Sequence, residues 1–215
     1  GLFYPSKISE VNIEYMTSKD EDLLTTPSLI ENGTVLDVLL KRKIKTKGIS
    51  PDEMLSGDRN AIILFIRSSR YGSEYAVKVP DPRTNVLFPA KVDLMKLKYK
   101  KVNRTPDNEG HFTVTIPMRK KVVKFRLLTS GEETMLFNQS EAHMQAMSTE
   151  FSDYNTLKLK SNIVSIDGKT DRSYISKFVD VMPALDALTI RRKIMEVSPD
   201  VDMDYEFKTK DGHKF

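Results

Sequence analysis

The chain contains no cysteine among its 215 residues. This absence excludes disulfide bonds, a thiolate nucleophile, an iron–sulfur cluster and any zinc site with cysteine ligands. It is compatible with a reducing compartment or with a virus particle. A chain of this length can bury a hydrophobic core without a disulfide or a structural metal.

The sequence also lacks a long hydrophobic run. Its longest, AIILFI (61–66), is far shorter than the roughly 20 apolar residues that a membrane-spanning helix needs. No secretory signal peptide is recognisable, although the chain begins with glycine rather than methionine, which leaves upstream processing open. We therefore expect no membrane partner.

Motifs of the common enzyme classes are missing as well. There is no G-x-S-x-G, P-loop, G-x-G-x-x-G or H-E-x-x-H. The three histidines are scattered, and none has a partner at metal-ligand spacing. An acidic metal site at Asp200, Asp202 and Asp204 is the alternative to a simple polar strand entry there. We expect no enzymatic activity, no catalytic residue, no cofactor and no metal.

Basic residues, in contrast, are clustered. KRKIKTK (41–47), KLKYKK (96–101) and RKKVVKFR (119–126) contribute to a net charge of +4. One interpretation is nucleic-acid binding by a lysine-rich sheet face, with Tyr99 among the lysines as a stacking platform. However, 30 acidic residues nearly balance the 34 basic ones. We therefore favour solvated faces over a nucleic-acid partner.

Helix signals dominate residues 1–72. TSKDEDLLTT (17–26) and TVLDVLLKRKI (34–44) have capping residues and charges that suit a helix dipole. Ser50 and Pro51 begin a well-punctuated stretch in which a helix starts near Asp58 and stops at Gly72. Its apolar run 62–66 is expected in the core, and a buried strand is the alternative for the same run.

Residues 73–128 alternate polar and apolar side chains with period two, which predicts a small antiparallel sheet. The stretch VNIEYM (11–16) predicts a further, edge-like strand. The predicted inward-facing side chains of the sheet are Tyr75, Val77, Val79, Phe112, Val114, Ile116, Val123, Phe125 and Leu127.

The last region, 129–215, returns to helices. SGEETMLFNQSEAHMQAM (130–147) carries N-terminal capping signals, two further helices follow, and a hairpin with its turn at 210–212 closes the chain. The fold class is therefore α+β, with helical N- and C-terminal parts around a small antiparallel sheet. The domains are 1–72, 73–128 and 129–215, or one continuous domain.

Four stretches carry a resemblance to a known family. They are GLFYP (1–5), SPDEMLSGDRNAIILFIRSSRYGSEY (50–75), VDLMKLK (92–98), and IVSIDGKTD (163–171) with the following FVDVMPALDALTIRRKI (178–194). In order and spacing, residues 1 to about 207 resemble the baseplate hub proteins of T-even-type contractile-tailed bacteriophages, the family named for T-even baseplate gene product twenty-six.

The resemblance implies a non-enzymatic protein that acts by binding other baseplate and hub proteins during hub assembly. It would be a structural subunit of the virion tail or an assembly chaperone in the host cytoplasm, and self-association stays open. Many members of the family carry a Cys-x-x-Cys pair in the final hairpin. The corresponding YEFKTKDGHKF (205–215) has no cysteine, so a zinc-ribbon role is not implied.

Two groups of side chains are candidates for partner binding. The first is an apolar N-terminal arm, for which packing on its own domain is the equal alternative. The second follows the apolar run at the end of the predicted helix, where arginine and tyrosine suit protein interfaces but are also ordinary helix-end residues. The candidate residues are Leu2, Phe3, Tyr4, Arg67, Arg70, Tyr71 and Tyr75.

Overall fold

The computed structural model describes residues 4, 8–102, 105–209 and 212–214. The helices are α1 (Ser18–Leu24), α2 (Pro27–Glu31), α3 (Val35–Lys43), α4 (Ser56–Tyr71), α5 (Ser130–Met147), α6 (Tyr154–Asn162), α7 (Arg172–Asp180) and α8 (Ala184–Val197). The strands are β1 (Glu74–Pro80), β2 (Leu87–Asp93), β3 (Lys98–Tyr99), β4 (His111–Thr115), β5 (Val122–Arg126), β6 (Ile163–Ile166) and β7 (Val201–Asp202). Two short 3-10 turns occupy Pro51–Glu53 and Leu94–Lys96.

The chain forms two compact units, each assembled from three separate segments. Unit 1 comprises Gly1–Val11, Lys47–Ser56 and Lys101–Pro199. Unit 2 comprises Asn12–Thr46, Gly57–Lys100 and Asp200–Phe215. The boundaries between the units therefore cut through all three of the regions 1–72, 73–128 and 129–215.

Unit 1 is built on a three-stranded antiparallel sheet in the order β4-β5-β6. Phe112 lies opposite Phe125, and Val123 lies opposite Ile166. Period-two alternation places the apolar side chains of these strands on one face, against the helices that follow. The buried core of this unit contains Phe112, Ile116, Val123, Phe125, Leu159, Ile163, Ile166, Ile175, Phe178, Val179, Ile190 and Val197.

The N-terminus of α5 packs directly on the 3-10 turn Pro51–Glu53. Thr129 caps α5, and its hydroxyl accepts from the Glu132 backbone N–H at 3.3 Å. The Ser130 hydroxyl donates to the Pro51 carbonyl at 2.9 Å. A Cβ on Gly131 would lie 2.8 Å from the Asp52 carbonyl oxygen. This close approach explains why glycine follows the cap at this position.

Unit 2 holds a buried ion pair between α1 and α3. Asp20 is fully buried, and its carboxylate lies 2.6 Å from Lys43 Nζ and 3.1 Å from Arg42 Nε. The same carboxylate accepts the Thr17 backbone N–H and hydroxyl, both at 2.8 Å, which completes the capping box of α1. Thus one side chain both begins α1 and attaches it to α3.

The strands of unit 2 form two small antiparallel pairs, β1-β2 and β3-β7. In the β1-β2 hairpin, Tyr75 lies opposite Val92 and Val79 lies opposite Phe88, so one face is apolar. Within the described structure, neither strand of this hairpin contains a buried residue. The apolar side chains of unit 2 that are buried are Met16, Leu39, Leu40, Ile62, Ile66 and Val201.

The α+β fold class predicted from the sequence is confirmed, with helices in both terminal parts and small antiparallel sheets. The strands are distributed over three sheets rather than one central sheet. The helix predicted at 130–147 is confirmed to the residue, and α4 confirms the helix, not the strand, at 61–66. Among the described helices, none has the length and apolarity that crossing a membrane would require.

Two local predictions need correction, and a third, the C-terminal hairpin, is met by a shorter pairing than expected. The strand at 11–16 is wrong: within that described stretch a single bridge, between Ile13 and Ile44, forms with its two flanking backbone hydrogen bonds, and α3 already occupies the partner chain up to Lys43. The run 62–66 is only partly core, since Phe65 is 41% exposed. The C-terminal hairpin retains a single described bridge, Lys208 to Lys214, and its predicted turn residues 210 and 211 lie outside the described residues.

Candidate partner-binding surface

Four of the predicted residues come together where α4 ends and β1 begins. We call Arg67, Arg70, Tyr71 and Tyr75 the arginine–tyrosine cluster. Helix α4 stops at Tyr71 because Gly72 adopts a left-handed conformation with φ of 80°, which glycine accepts without steric cost. The chain then reverses into β1, which brings Tyr75 back toward the last turn of the helix.

Stacked contacts fix the side chains of this cluster. The Arg67 guanidinium lies 4.6 Å from the centre of the Tyr75 ring, and its Nη1 donates to the Gly72 carbonyl at 3.0 Å. The Arg70 guanidinium lies 5.9 Å from the centre of the Tyr71 ring. These cation–π contacts hold both arginine side chains against aromatic rings. Because the side chains are already ordered, binding a partner would cost less conformational entropy.

Glu21 from α1 anchors the other side of the cluster. Its Oε1 lies 3.1 Å from Arg70 Nη2 and accepts the Tyr71 hydroxyl at 3.1 Å. Partial burial raises the pKa of Tyr71 above its ordinary value, and the hydrogen bond and charge of Glu21 raise it further. Tyr71 therefore remains a protonated hydrogen-bond donor across the physiological range.

The cluster stays open to solvent despite these internal contacts. Tyr71 is 53% exposed and Tyr75 is 46% exposed. Both rings thus present large amphipathic surfaces in preset orientations, which is the property that makes tyrosine effective at protein interfaces.

An apolar groove continues from this cluster along α4. Leu64 lies one helical turn before Arg67, so their side chains are neighbours on the helix surface. Met95 and Tyr99 contribute large exposed surfaces to the groove, at 60% and 70%. The groove is lined by Ala61, Leu64, Phe65, Leu94, Met95, Leu97, Tyr99 and Val201.

No sequence pattern links Phe65 and Tyr99 to one surface. Phe65 was expected in the core because its run is apolar throughout, yet the helical period turns Ile62 and Ile66 inward and Phe65 outward. Tyr99 reaches the groove because β3 pairs with β7, about 100 residues further along the chain. Reading α4 as a helix with one buried stripe would have identified Phe65.

The N-terminal candidates have different outcomes. Leu2 and Phe3 lie outside the described residues. Tyr4 is half-buried, and its hydroxyl accepts the Leu55 backbone N–H at 3.0 Å within unit 1. For Tyr4, this contact agrees with the alternative in which the arm packs on its own domain.

A charged turn before β4 is the feature that sequence analysis missed. Asp107, Glu109 and His111 bring one potential metal-ligating atom each to within 4.8 Å of one another. The alternate spacing D-x-E-x-H was the available signal. Lys124 from β5 already lies between the two carboxylates, with its Nζ 2.8 Å from Asp107 and 3.0 Å from Glu109. An internal ammonium group therefore occupies the position that a cation would take.

The pKa values in this turn follow from the lysine. The hydrogen bond from Lys124, with those from the backbone N–H groups of His111 and Glu109, lowers the pKa of Asp107 to about 2. Lys124 also lowers the pKa of Glu109, and its own pKa is raised by the two acids. The two carboxylates and Lys124 therefore act as an ion-pair network.

The alternative acidic site at the start of β7 does not assemble in the part of the chain that the structure describes. Asp200 accepts the N–H of Val201, and Asp202 accepts the N–H of Asp204. The carboxylates of Asp200 and Asp202 thus bond to the local backbone, and the three acids do not form a cluster of metal-ligating atoms among the described residues. The polar strand entry is the interpretation that these contacts favour.

Several lysines of the sheet faces are neutralised by acids. Lys91 pairs with Glu74 at 2.6 Å and Lys121 pairs with Asp167 at 2.6 Å, in addition to the Lys124 pairs described above. A face built from such pairs offers little unbalanced positive charge to a phosphate backbone.

Comparisons with known proteins add no relative: no family model, no curated protein and no solved structure matches this chain.

Proposed function

We propose that this chain is a non-enzymatic, protein-binding component of a phage tail baseplate hub. Two independent lines support the proposal. The four sequence stretches resemble the T-even hub family in order and spacing, and the second of them ends in the arginine–tyrosine cluster. The main support for a binding role is that the arginine–tyrosine cluster is exposed to solvent while contacts within the protein fix its side chains.

The cluster suits a protein partner better than a small molecule. Arginine and tyrosine are the residue types that most often dominate the energy of protein interfaces. Here they stand beside an apolar groove that includes Phe65 and Met95, so an interface would have an apolar centre and polar, hydrogen-bonding neighbours. Glu21 neutralises Arg70, whereas Arg67 bonds to the Gly72 carbonyl and stacks on Tyr75, so an interface would combine apolar area with the guanidinium of Arg67.

The partners in this proposal are other baseplate and hub proteins. The chain would either remain in the tail as a structural subunit or act in the host cytoplasm as a chaperone that leaves before maturation. Quantitative mass spectrometry of purified particles separates the two roles. A stoichiometric amount relative to a known hub subunit indicates a structural component, whereas abundance only in assembly intermediates indicates a chaperone.

The alternative, nucleic-acid binding by a lysine-rich sheet face, has less support because Lys91, Lys121 and Lys124 are paired with acids. Binding to single-stranded DNA that weakens steeply between about 50 and 200 mM salt would favour that alternative. Absence of DNA binding at low salt would exclude it.

The binding role is tested by changing Tyr71 and Tyr75 to alanine together. Removing two hot-spot tyrosines should weaken binding to the co-expressed hub proteins by at least about 30-fold, as measured by quantitative pull-down. The matched control is Tyr15→Ala, which removes a tyrosine that is 72% exposed and belongs to neither the cluster nor the groove. Equal binding by the double variant and the control, with folding verified by circular dichroism, would contradict the proposal.

A further inference from the structure

A second surface, in unit 1, has a different chemistry. A shallow groove is lined by Arg119, Lys121, Tyr174, Lys177, Phe178 and Val181, and we call it the basic groove. It lies between the β4-β5 turn and α7. Lys120 lies in the turn between the lining residues Arg119 and Lys121, and Lys169 extends the groove by lying 5.0 Å from the centre of the Tyr174 ring.

The β4-β5 turn is held in place by a buried carboxylate. Asp186 at the start of α8 is fully buried and accepts the backbone N–H groups of Met118 at 2.7 Å and Arg119 at 3.1 Å. Lys120 follows with a left-handed φ of 51°. These constraints fix the direction in which the turn projects its basic side chains.

Arg119 itself is locked into the groove. Its guanidinium lies 4.8 Å from the centre of the Phe178 ring, and Nη2 donates to the Val181 carbonyl at 2.5 Å. A guanidinium carries five N–H donors, so donors remain after this bond. The guanidinium is thus already positioned to donate hydrogen bonds to an anionic group.

The groove has an excess of positive charge. Lys121 is paired with Asp167. Across the ranges that the structure describes, no carboxylate forms an ion pair with Arg119, Lys120, Lys169 or Lys177. Lys169 interacts electrostatically with Asp167, the acid already paired with Lys121, so one carboxylate serves several cations here, in contrast to the paired Lys91 and Lys124. Such an imbalance favours an acidic ligand.

Two features of the groove favour a protein ligand over a nucleic acid: its exposed apolar side chains and the cations that cover its aromatic rings. Met118 is 61% exposed and Val181 is 65% exposed, so apolar side chains are interleaved with the cations. The Phe178 ring is buried beneath Arg119, and Lys169 covers the Tyr174 ring. These aromatic faces are therefore not open to the base stacking that single-stranded nucleic acids use.

We infer that the basic groove is a docking site for an acidic protein segment that also carries apolar side chains. Its carboxylates would face Arg119, Lys120, Lys169 and Lys177, and its apolar side chains would cover Met118 and Val181. This inference does not depend on the baseplate assignment or on the arginine–tyrosine cluster, since it uses different residues and a different unit.

The test uses fluorescence anisotropy with the full chain and three labelled probes. The first is a synthetic peptide that repeats Glu-Asp-Leu, the second replaces its acids with Gln and Asn, and the third is oligothymidylate. We expect the acidic peptide to bind with a Kd below about 1 mM at low salt, and the amide peptide to bind at least about tenfold more weakly.

Two variants locate the binding. The triple change Lys120→Glu, Lys169→Glu and Lys177→Glu should weaken binding of the acidic peptide by at least about tenfold. Val181→Ser should weaken it by roughly threefold through lost apolar contact. The charge-matched control changes the exposed lysines Lys19, Lys47 and Lys78 to Glu and should leave the Kd within about twofold.

Three outcomes would overturn the inference. One is absence of binding of the acidic peptide, and another is equal loss of binding in the triple variant and the control. The third is tighter binding of oligothymidylate than of the acidic peptide, lost in the triple variant, which would make the groove a nucleic-acid site. Because the lysines are exposed, each variant is expected to keep the wild-type circular dichroism spectrum.

Discussion

At the scale of single residues, Asp20 is the side chain on which unit 2 depends most. It is fully buried, and it bonds the cap of α1 and two cations of α3. Burial on its own would raise the pKa of Asp20, but the hydrogen bonds from Lys43 and Thr17 outweigh it and hold this pKa well below its ordinary range. The carboxylate is therefore charged across the physiological pH range.

Replacing Asp20 with alanine should destabilise the protein by about 3 kcal/mol, because the buried Lys43 would lose its closest counter-charge and keep only the exposed Glu14 carboxylate at 3.6 Å. Equilibrium urea denaturation measures the loss. Asp22→Asn changes an exposed acid of the same helix and should stay within about 0.5 kcal/mol of the wild type. A value for Asp20→Ala close to that of the control would show that water reaches Lys43.

The turn at Asp107 gives a pH dependence with a defined sign. Its pKa in the folded protein is about 2, below the ordinary value of 3.8, so the stability it contributes is present above about pH 4. That contribution is lost as the pH falls from about 4 toward 2. Asp107→Asn should therefore lose less stability over this interval than the wild type does.

Denaturation curves at a series of pH values measure this difference. The control is Glu141→Gln, which removes an exposed carboxylate from α5 and should leave the acid-induced loss of stability unchanged. Identical pH profiles for Asp107→Asn and the wild type would mean that the Lys124 pair does not persist in solution.

At the scale of secondary-structure elements, the contact between α5 and the Pro51–Glu53 turn is unusually close. In an open helix position, changing glycine to alanine gains up to about 1 kcal/mol from helix propensity. At Gly131 the new methyl group would meet the Asp52 carbonyl oxygen at 2.8 Å and the Asp52 Cβ at 3.0 Å. The two effects have opposite signs, and the steric one should dominate.

Gly131→Ala should therefore destabilise the protein by roughly 1–3 kcal/mol, because the turn must move away from the helix. Thermal unfolding followed by circular dichroism measures the change. Gln139→Ala, at an exposed position of the same helix, should be neutral or slightly stabilising. Stabilisation by Gly131→Ala would show that the turn yields without cost.

Elements with complete local signals were predictable from the sequence. Helix α5 has a capping box at Thr129 and a left-handed residue at Ser148, so both its ends are defined by neighbouring residues. The arginine–tyrosine cluster was also accessible, because its members lie within nine consecutive positions around one helix end. Local chemistry is sufficient in both cases.

Features that depend on distant pairing were not predictable. The groove beside Phe65 requires β7 to pair with β3, and the ion-pair network at Asp107 requires Lys124 from the next strand. The basic groove requires α7 to pack beside the β4-β5 turn. The periodicity or spacing of residues within one segment does not predict these contacts, because each contact depends on the register and packing of separate elements.

At the scale of the whole molecule, the two units differ in how much apolar surface they bury. Unit 1 surrounds its three-stranded sheet with a large apolar core, whereas the β1-β2 hairpin of unit 2 has no buried residue within the described structure. A two-stranded hairpin without a packed face is marginally stable in water. Stability should therefore be uneven along the chain.

Hydrogen–deuterium exchange measures this unevenness. We expect the amide protons of β4 and β5 to exchange at least ~100-fold more slowly than those of β1 and β2, because opening the hairpin exposes little apolar surface. Each strand pair is antiparallel, so the comparison is between similar hydrogen-bond ladders. Comparable protection in both pairs would mean that something else shields the hairpin.

The order in which the chain supplies the strands also affects how it can fold during translation. Strand β3 finishes at Tyr99, but its partner β7 begins only at Val201. At translation rates of about 5–20 residues per second, β3 waits for roughly 5–20 seconds before its partner has been made. During that interval the groove beside Phe65 lacks the side chain of Val201, so the apolar face of α4 stays more exposed on the nascent chain than in the folded protein.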